Sequence, residues 1–347
     1  MKVLHCIPTL QIGGIESMSI RLLSQKFKSI NYRVLYFDSF NHELLNLFHC
    51  ESRKQVVVLP DKHFFKKFFS LIEVLKGLSD DEVIILSTWR SLKIFFILKL
   101  LRKKNKIIVF HHRTYPAHIV DRISRKIFYK FVEFHFCDSE STCSKLPLMI
   151  NRSVVRPFFL AEKCLLQRDY NRFCIMGRIH EHRNLSRALK FFYEIKILMP
   201  DAHLDIIGPD AGDLKTVKAV IDFLEINNSV SILSGINPLE ILKMYKKYDF
   251  IISTPISEGM GMSIAEAMSA GVIPIVGPFG EPAQYCNKEN SFLLQSYGDK
   301  DLKDVAINLF NCRSKSSLNQ ISLKATMITN TMEPCATSLE SNLFNIL

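Results

Sequence analysis

The sequence predicts an α/β protein built from two tandem domains, each with a parallel β-sheet. Strand-like apolar runs alternate with helical runs, which is typical of βαβ units. The pattern stops at RPFFLAEKCLLQRDYN and then begins again. The chain has 347 residues, more than a single hydrophobic core usually supports. We therefore expect the boundary near residues 160–170, with domains at 1–165 and 166–330.

The individual elements follow from the same alternation. In the first half the strand-like runs are KVLHCIP, YRVLYFD, EVIILST and KIIVFHH, and the predicted helices cover 16 to about 27, 62–78, 91–103 and 121–133. In the second half the strands are RFCIMGRI, HLDIIG, SVSILSG, DFIISTP and VIPIVG, and the helices cover 184–198, 212–226, 238–247 and 262–270. The tail is predicted to be helical, and its last helix, about 331–347, is free to pack back on the first domain.

Composition and termini favour a cytoplasmic protein. Nine cysteines are scattered without a CxxC or Cys/His cluster, which argues against disulfides and structural zinc. Met1 leads directly into a strand-like run with no signal-peptide pattern, so we expect no export. The most apolar window, residues 91–110, is interrupted by lysines and falls short of the ~20 apolar residues that a membrane span needs.

Positive charge is concentrated in the first half. Residues 1–160 hold 26 Lys and Arg against 13 acids, whereas residues 161–347 hold 19 against 21. Phe and Tyr alternate with the cations in KHFFKKFF, LRKKNK and RISRKIFYKF, a composition that suits an anionic membrane surface. The alternative is a solvated basic face whose aromatic side chains lie in the core. Nucleic acid is not expected as a partner, because no recognised nucleic-acid module is present.

Two arginines follow the first strand of the second half. Ligands of open parallel sheets bind beyond the carboxyl ends of the strands, which is where GRIHEHRN places Arg178 and Arg183. Forked guanidinium groups match phosphate oxygens, so this pair could hold a diphosphate. The alternative is a surface salt bridge, for which Glu181 is a natural partner.

The stretch SEGMGMSIAEAM places two acids eight residues apart. Glu258 lies in the loop after the strand DFIISTP, and a helix begins near Met262 or Ser263, with Glu266 about one turn inside it. The N–H groups at a helix start attract an anion such as phosphate, and carboxylates accept hydrogen bonds from vicinal hydroxyls. The spacing suits the ribose and the sugar at the two ends of a nucleotide sugar. Otherwise Glu258 is a helix-start acid and Glu266 lies on a solvated helix face.

Several motifs in order resemble the retaining glycosyltransferases of family 4. They are GGIE at 13–16, GRIHEHR at 177–183, GPD at 208–210, and Glu258 with Glu266 before AMSAGVIPIV. The resemblance covers nearly the whole chain and is strongest from 172 to 280. It implies the GT-B architecture, in which two Rossmann-like domains face each other across a cleft.

The resemblance also implies a role for each matching residue. Arg178 and Arg183 would neutralise the diphosphate, Glu258 would contact the transferred sugar, and Glu266 would hold the ribose. The family's active-site histidine maps to His112, with His111 as the alternative and a solvent-facing or capping histidine as the ordinary reading of either. The expected donor-binding glycines and backbone positions are Gly13, Gly14, Gly177, Gly259, Met260, Gly261, Met262 and Ser263.

The sequence departs from the family pattern in three places. Arg183 stands where lysine is usual, so a planar fork replaces a point charge. The segment VGPFGEPAQYC lacks the usual glycine-proline-glutamate order, although Glu281 and Pro282 stay nearby, and VVRPFF replaces the common proline-asparagine-glycine turn. The second departure bears most on which sugar is selected.

The expected reaction is retaining transfer of a hexose-type sugar from a UDP- or GDP-linked donor, without a cofactor or metal. The arginines and the helix start take the place of the metal, and no DxD-like cluster is suitably placed. We expect a lipid-linked or oligosaccharide acceptor in bacterial lipopolysaccharide or other polysaccharide assembly, at the inner face of the membrane.

Two rival functions remain open. An NAD-type oxidoreductase shares the architecture, but QIGGIE is not GxGxxG and only Asp38 could bind the ribose. A catalytically silent glycosyltransferase-like subunit would also retain these motifs.

Overall fold

A computed structural model shows two compact units. It describes residues 1–11, 13–46, 50–59, 64–161, 169–234, 237, 239–296 and 298–346. Unit 1 comprises Met1–Pro157 and Pro334–Leu347, and unit 2 comprises Phe158–Glu333. The chain therefore leaves unit 1 at Pro157, before the boundary expected at residue 165, which lies outside the described residues.

Unit 1 is built on a seven-stranded sheet. Its strands are β1 (Lys2–Leu10), β2 (Asn31–Phe40), β3 (Val56–Val58), β4 (Val83–Ser87), β5 (Ile107–His111), β6 (Phe134–Cys137) and β7 (Asn151–Val154). Its helices up to Pro157 are α1 (Gly14–Leu23), α2 (His42–Asn46), α3 (Cys50–Arg53), α4 (Phe64–Lys76), α5 (Leu92–Leu100), α6 (Ile119–Phe131) and α7 (Glu140–Cys143).

All strand pairs of this sheet are parallel, in the order β3-β2-β1-β4-β5-β6-β7. Every residue of β4, VIILS, is buried, as expected for a strand covered on both faces. One apolar core joins one face of the sheet to α4, α5 and α6, through side chains such as Leu71, Phe95 and Phe128. These three helices therefore form one layer, which we call the α4–α6 layer.

Unit 2 repeats the architecture with a six-stranded sheet. Its strands are β8 (Arg172–Met176), β9 (His203–Ile207), β10 (Val230–Leu233), β11 (Phe250–Ser253), β12 (Ile273–Val276) and β13 (Phe292–Leu293). Its helices are α8 (Leu185–Leu198), α9 (Leu214–Phe223), α10 (Ile241–Met244), α11 (Met262–Ser269), α12 (Pro282–Tyr285), α13 (Asp299–Asn311) and α14 (Lys315–Asn330). The strand order is β10-β9-β8-β11-β12-β13, again parallel throughout.

The last helix, α15 (Cys335–Ile346), belongs to unit 1. The Glu340 carboxylate accepts hydrogen bonds from the backbone N–H groups of Lys28 and Ser29, at 3.3 and 2.6 Å. Asn342 Nδ2 donates to the carbonyl of Val154 at 3.4 Å. Lys106 Nζ donates to the carbonyl of Ile346 at 2.9 Å, so polar contacts attach this helix to unit 1 at three places.

The parallel α/β class and the two-unit organisation agree with the sequence expectation, while several element bounds differ. The helix expected over 238–247 is only the short α10 followed by a 3-10 turn at Tyr245–Lys247. The helix expected over 91–103 begins with a 3-10 turn at Trp89–Ser91 and ends at Leu100. Lys62 and His63, the first two residues of the helix expected over 62–78, lie outside the described residues.

Candidate active site

The central feature of unit 2 is the neighbouring pair β8 and β11. From these two strands the sheet is extended in opposite directions, by β9 on one side and by β12 on the other. A crevice between the loops at such a switch point is the usual ligand site of a doubly wound sheet. The loop after β8 carries Gly177, Arg178 and Arg183, and the loop after β11 carries Glu258.

Arg183 and Glu258 meet across this switch point. Arg183 Nη1 donates to Glu258 Oε2 at 3.3 Å, and both side chains are partly exposed. The two loops are also joined through the backbone, because Ile256 N–H donates to the carbonyl of His182 at 2.9 Å. Thr254 Oγ1 donates to the carbonyl of Asn184 at 3.1 Å. The partner of Arg183 is thus Glu258, 75 residues away, and not the neighbouring Glu181.

Glycines allow the close packing beneath this ion pair. Gly177 has φ +134°, and a Cβ there would lie 2.8 Å from Arg183 Nη2. Gly208 has φ +153°, and a Cβ there would lie 2.0 Å from the carbonyl oxygen of Gly177. The loops after β8 and β9 continue side by side, since Ile179 N–H donates to the carbonyl of Pro209 at 2.9 Å. The GPD motif therefore packs against the loop after β8, which carries Arg178 and Arg183.

The loop before α11 is fixed by its own backbone and by Tyr285. Gly259 N–H donates to Glu258 Oε1 at 3.2 Å, and the Gly259 carbonyl accepts from Glu281 N–H at 2.9 Å. Tyr285 Oη donates to the carbonyls of Met260 and Gly261 at 2.9 and 3.3 Å. The pKa of Tyr285 is raised well above its usual value, mainly by burial and further by Cys286 and Glu258. This hydroxyl therefore stays protonated and donates.

Helix α11 begins at Met262, as the sequence predicted, after Gly261 in the left-handed region at φ +70°. The first i to i−4 bond runs from Ala265 N–H to the Gly261 carbonyl, so the amides of Met262 and Ser263 precede it. The Met262 and Ser263 side chains are partly exposed, whereas Met260 packs against Phe158 in the core.

Glu266 and Arg178 differ in burial. Glu266 is only 2% exposed, which excludes the alternative of a solvated helix face. Arg178 is exposed on the loop that carries Arg183. On the same loop the ligand atoms of His180, Glu181 and His182 lie within 4.8 Å of one another. Across the residues that the structure describes, this is the one His, Cys, Asp or Glu cluster compact enough for a metal ion.

In unit 1, Gly13 and Gly14 lie at the start of α1, beyond the carboxyl end of β1. A Cβ at Gly13 would lie 2.4 Å from Glu16 Oε2, while one at Gly14 would meet no atom within 4 Å. Thr9 Oγ1 donates to Glu16 Oε1 at 2.8 Å. Glu16 of the GGIE motif therefore folds back over Gly13 and leaves Gly14 open.

The two adjacent histidines have different environments. His111 is buried, and its Nε2 lies 2.9 Å from Nδ1 of His135, with the two rings stacked. His112 is partly exposed just beyond the end of β5, and its Nε2 lies 2.9 Å from Ser87 Oγ. Burial lowers the pKa of both imidazoles well below the usual range. Because it is the partly exposed one, His112 is the better placed to meet a ligand.

Sequence reasoning missed Tyr285 as the residue that holds the loop at 258–263. Its hydroxyl reaches back 24 and 25 residues to two carbonyls, and no local pattern reports a contact of that range. One indication in the sequence was that this region differs, because the segment that contains Glu281 and Pro282 departs from the family pattern close to Tyr285.

The fold and part of the sequence match known glycosyltransferases. The structure of Anabaena Alr3699/HepE in complex with UDP and glucose superposes with a TM-score of 0.82 at 14% identity, covering 100% of this chain and 99% of that one. The chain thus has the fold of GT-B glycosyltransferases. Residues 159–326, which lie in unit 2, match the family "Glycosyl transferases group 1".

Curated relatives match over shorter segments. The poly(glycerol-phosphate) alpha-glucosyltransferase of Bacillus subtilis (strain 168) is 28% identical over 142 residues, 40% of this chain and 21% of the relative. The alpha-monoglucosyldiacylglycerol synthase of Streptococcus pneumoniae is 29% identical over 130 residues, 37% of this chain and 28% of the relative. The chain therefore spans less than a third of the length of these relatives.

Proposed function

We propose that this chain is a retaining glycosyltransferase that moves a hexose-type sugar from a nucleotide diphosphate donor, with UDP favoured over GDP. The observation that carries the proposal is the switch point of unit 2, where Arg183 pairs with Glu258 and the loop that carries Glu258 leads into α11. These residues lie inside the segment that matches the glycosyltransferase family. UDP is favoured because the superposing Anabaena protein was solved with UDP and glucose.

The chemistry requires positive charge at the leaving diphosphate. Arg178, Arg183 and the N–H groups at the start of α11 supply it in a preorganised form, which is the kind of contribution that often dominates catalysis. Glu258 would contact the sugar and Glu266 the ribose, with the Gly177 loop close to the phosphates. The acceptor hydroxyl would attack on the face that the diphosphate leaves.

The alternative of an NAD-type oxidoreductase is not favoured. The acid on which it depends, Asp38, already forms an ion pair with Lys93 and lies 3.9 Å from Arg90. Binding a ribose would require Asp38 to give up these partners.

We propose a lipid-linked saccharide as the acceptor, reached from an anionic membrane surface. The α4–α6 layer supports this, since Phe64, Phe65 and Phe69 are 78%, 70% and 62% exposed on α4. Ile123 and Phe131 of α6 are 51% and 56% exposed, beside the exposed Arg122 and Lys126. These side chains lie outside the core, which supports the membrane surface over a basic face whose aromatics are all buried, although Phe128 of the same segment is in the core. No helix among the described residues is long and apolar enough to cross a bilayer.

The function is tested by incubating the protein with UDP-glucose, UDP-N-acetylglucosamine, GDP-mannose or NAD and measuring both binding and sugar release or transfer. Binding of UDP with slow donor hydrolysis, and with retention at the anomeric carbon, is the expected result. UDP binding without any turnover would support a catalytically silent subunit instead. Binding of NAD alone would overturn the proposal.

A chelator tests the expected independence of metal. We expect EDTA to leave the rate unchanged, because the cations at the switch point are side chains. Loss of activity that Mn²⁺ or Zn²⁺ restores would contradict this, and His180→Ala would then show whether the cluster at residues 180–182 holds the metal.

A further inference from the structure

A line of four buried or partly buried polar side chains crosses the centre of the unit 1 sheet. Tyr32 Oη lies 2.7 Å from His5 Nδ1, and His5 Nε2 lies 2.6 Å from Ser87 Oγ. Ser87 Oγ in turn lies 2.9 Å from His112 Nε2. The first three residues come from β2, β1 and β4, and His112 directly follows β5; these four strands are consecutive in the sheet. The line therefore runs from inside the sheet to the edge where His112 is partly exposed.

Both imidazoles in the line are neutral at ordinary pH. Burial lowers the pKa of His5 to about 3 and lowers the pKa of His112 well below its usual value, with His5 as a second cause for His112. A neutral imidazole has one N–H and one acceptor nitrogen, and the contact made by one nitrogen fixes the state of the other. The direction in which the hydrogen bonds are donated along the line therefore determines which nitrogen of each imidazole carries the proton.

Tyr32 sets that direction. Its side chain is 1% exposed, and within the described part of the chain His5 is the one hydrogen-bond partner of its hydroxyl. A buried hydroxyl that fails to donate loses about 1–3 kcal/mol, so Tyr32 donates to His5 Nδ1. His5 must then carry its proton on Nε2 and donate to Ser87, and the Ser87 hydroxyl donates to His112 Nε2.

We propose that Tyr32, His5 and Ser87 are positioning residues that hold His112 in the tautomer with its proton on Nδ1. His112 then offers a hydrogen-bond donor at the carboxyl edge of the sheet and is not a general base. The Nδ1–H group would donate to an oxygen atom of either sugar substrate, such as a hydroxyl or phosphate oxygen. The substrate part of this inference rests on the proposed function, whereas the tautomer does not.

The tautomer can be measured without any substrate. Long-range ¹H–¹⁵N spectra of protein labelled with [¹⁵N]histidine distinguish the two tautomers, and the His112→Gln variant assigns the signals. The wild type should show His112 protonated on Nδ1. Tyr32→Phe removes the donor that sets the direction, so the His112 proton should shift toward Nε2. Ser87→Ala removes the hydroxyl that donates to His112 Nε2 and should have the same effect.

A matched control is present on the same strand. Tyr36 is also buried, but its hydroxyl pairs with Ser19 Oγ at 2.7 Å and is not part of the line. Tyr36→Phe should leave the His112 signals unchanged. A wild-type His112 protonated on Nε2, or identical His112 signals in Tyr32→Phe and wild type, would overturn the inference.

The catalytic consequence is measured separately. Tyr32→Phe should lower kcat by about two- to tenfold, the value of one ordinary hydrogen bond, with little change in KM for the donor. An unchanged kcat beside a shifted tautomer would refute the positioning role. A chain that transfers no sugar but shows the Nδ1 tautomer would refute the proposed function and leave the hydrogen-bonded line standing.

Discussion

Arg183 and Glu258 contribute little to stability as an ion pair, because both side chains reach solvent. They are 32% and 19% exposed, and pairs of this kind are worth about 0–1 kcal/mol. The contact instead uses the planar fork of Arg183, with Nη1 on Glu258 and Nη2 next to Gly177. A lysine at this position would have a single ammonium in place of the planar fork.

The first prediction concerns Glu258→Gln, which keeps the shape and removes the charge. The unfolding free energy should change by less than about 1 kcal/mol. UDP should bind as well as or better than before, since Arg183 loses a competing carboxylate, whereas kcat should fall by about 100-fold or more. Calorimetry with UDP and a transfer assay measure the two effects.

Glu240→Gln is the control for this prediction, because Glu240 pairs with Lys243 on the exposed surface of the same unit. It should behave like the wild type in both assays. A Glu258→Gln variant with full kcat, or one that no longer binds UDP, would contradict the role given to this carboxylate.

At the scale of elements, the second prediction compares two glycines in the loop after β9. Gly208 and Gly212 both have positive φ, +153° and +111°, but only at Gly208 would a Cβ meet backbone. Gly212→Ala should cost about 1–2 kcal/mol of unfolding free energy through strain alone. Gly208→Ala should cost more and should also weaken UDP binding, because it pushes the Gly177 carbonyl and the arginine loop.

Chemical denaturation of the two variants, with UDP titration of each, makes the comparison. Equal losses for both would show that the close approach of the loops after β8 and β9 does not matter.

The sequence predicted several helices well, missed α13, and left the pairing between the elements open. The start of α11 at Met262 and the end of α8 at Leu198 agree with the helices predicted from hydrophobic spacing. Strands of two or three residues, such as β13 and β3, carry too few residues for a period to be visible. The partner of Arg183 depends on which strands are neighbours, and a linear sequence does not state that order.

The third prediction concerns helix α4 and its exposed phenylalanines. Phe64→Ser with Phe65→Ser removes two large apolar side chains from the surface and disturbs little packing, since both are at least 70% exposed. Sedimentation with vesicles containing anionic lipid should fall by about tenfold or more, because each buried aromatic contributes about 1.5–3 kcal/mol. Raising the salt concentration should weaken the binding of the unaltered protein.

Phe223→Ser is the matched control, since Phe223 is 84% exposed on α9 of unit 2, which is not part of the α4–α6 layer. Its binding to vesicles should equal that of the wild type. If both variants sediment equally with lipid, the α4–α6 layer is not the membrane surface.

Over the whole molecule, ionisable groups are unevenly divided between the units. The excess of positive charge lies in residues 1–160, and so do four histidines whose pKa values are lowered by burial. Two of these, His5 and His112, belong to the hydrogen-bonded line, and His111 pairs with His135. Unit 1 therefore contains a set of groups that must stay neutral while it is folded.

The last prediction is that acid destabilises unit 1. A histidine whose folded pKa lies below the unfolded value of 6.5 is protonated only in the unfolded chain between those two values. The unfolding free energy is therefore highest above pH 6.5. It decreases as the pH falls toward the folded pKa, which is about 3 for His5 and about 4 for His135. At pH 5 His5 and His135 should each cost about 2 kcal/mol. Hydrogen exchange followed by mass spectrometry at pH 7 and pH 5, corrected for intrinsic rates, should show lost protection in β1, β4 and β5 first. His135→Gln should recover about 2 kcal/mol at pH 5 relative to its stability at pH 7, and an equal loss of protection in both units would contradict the prediction.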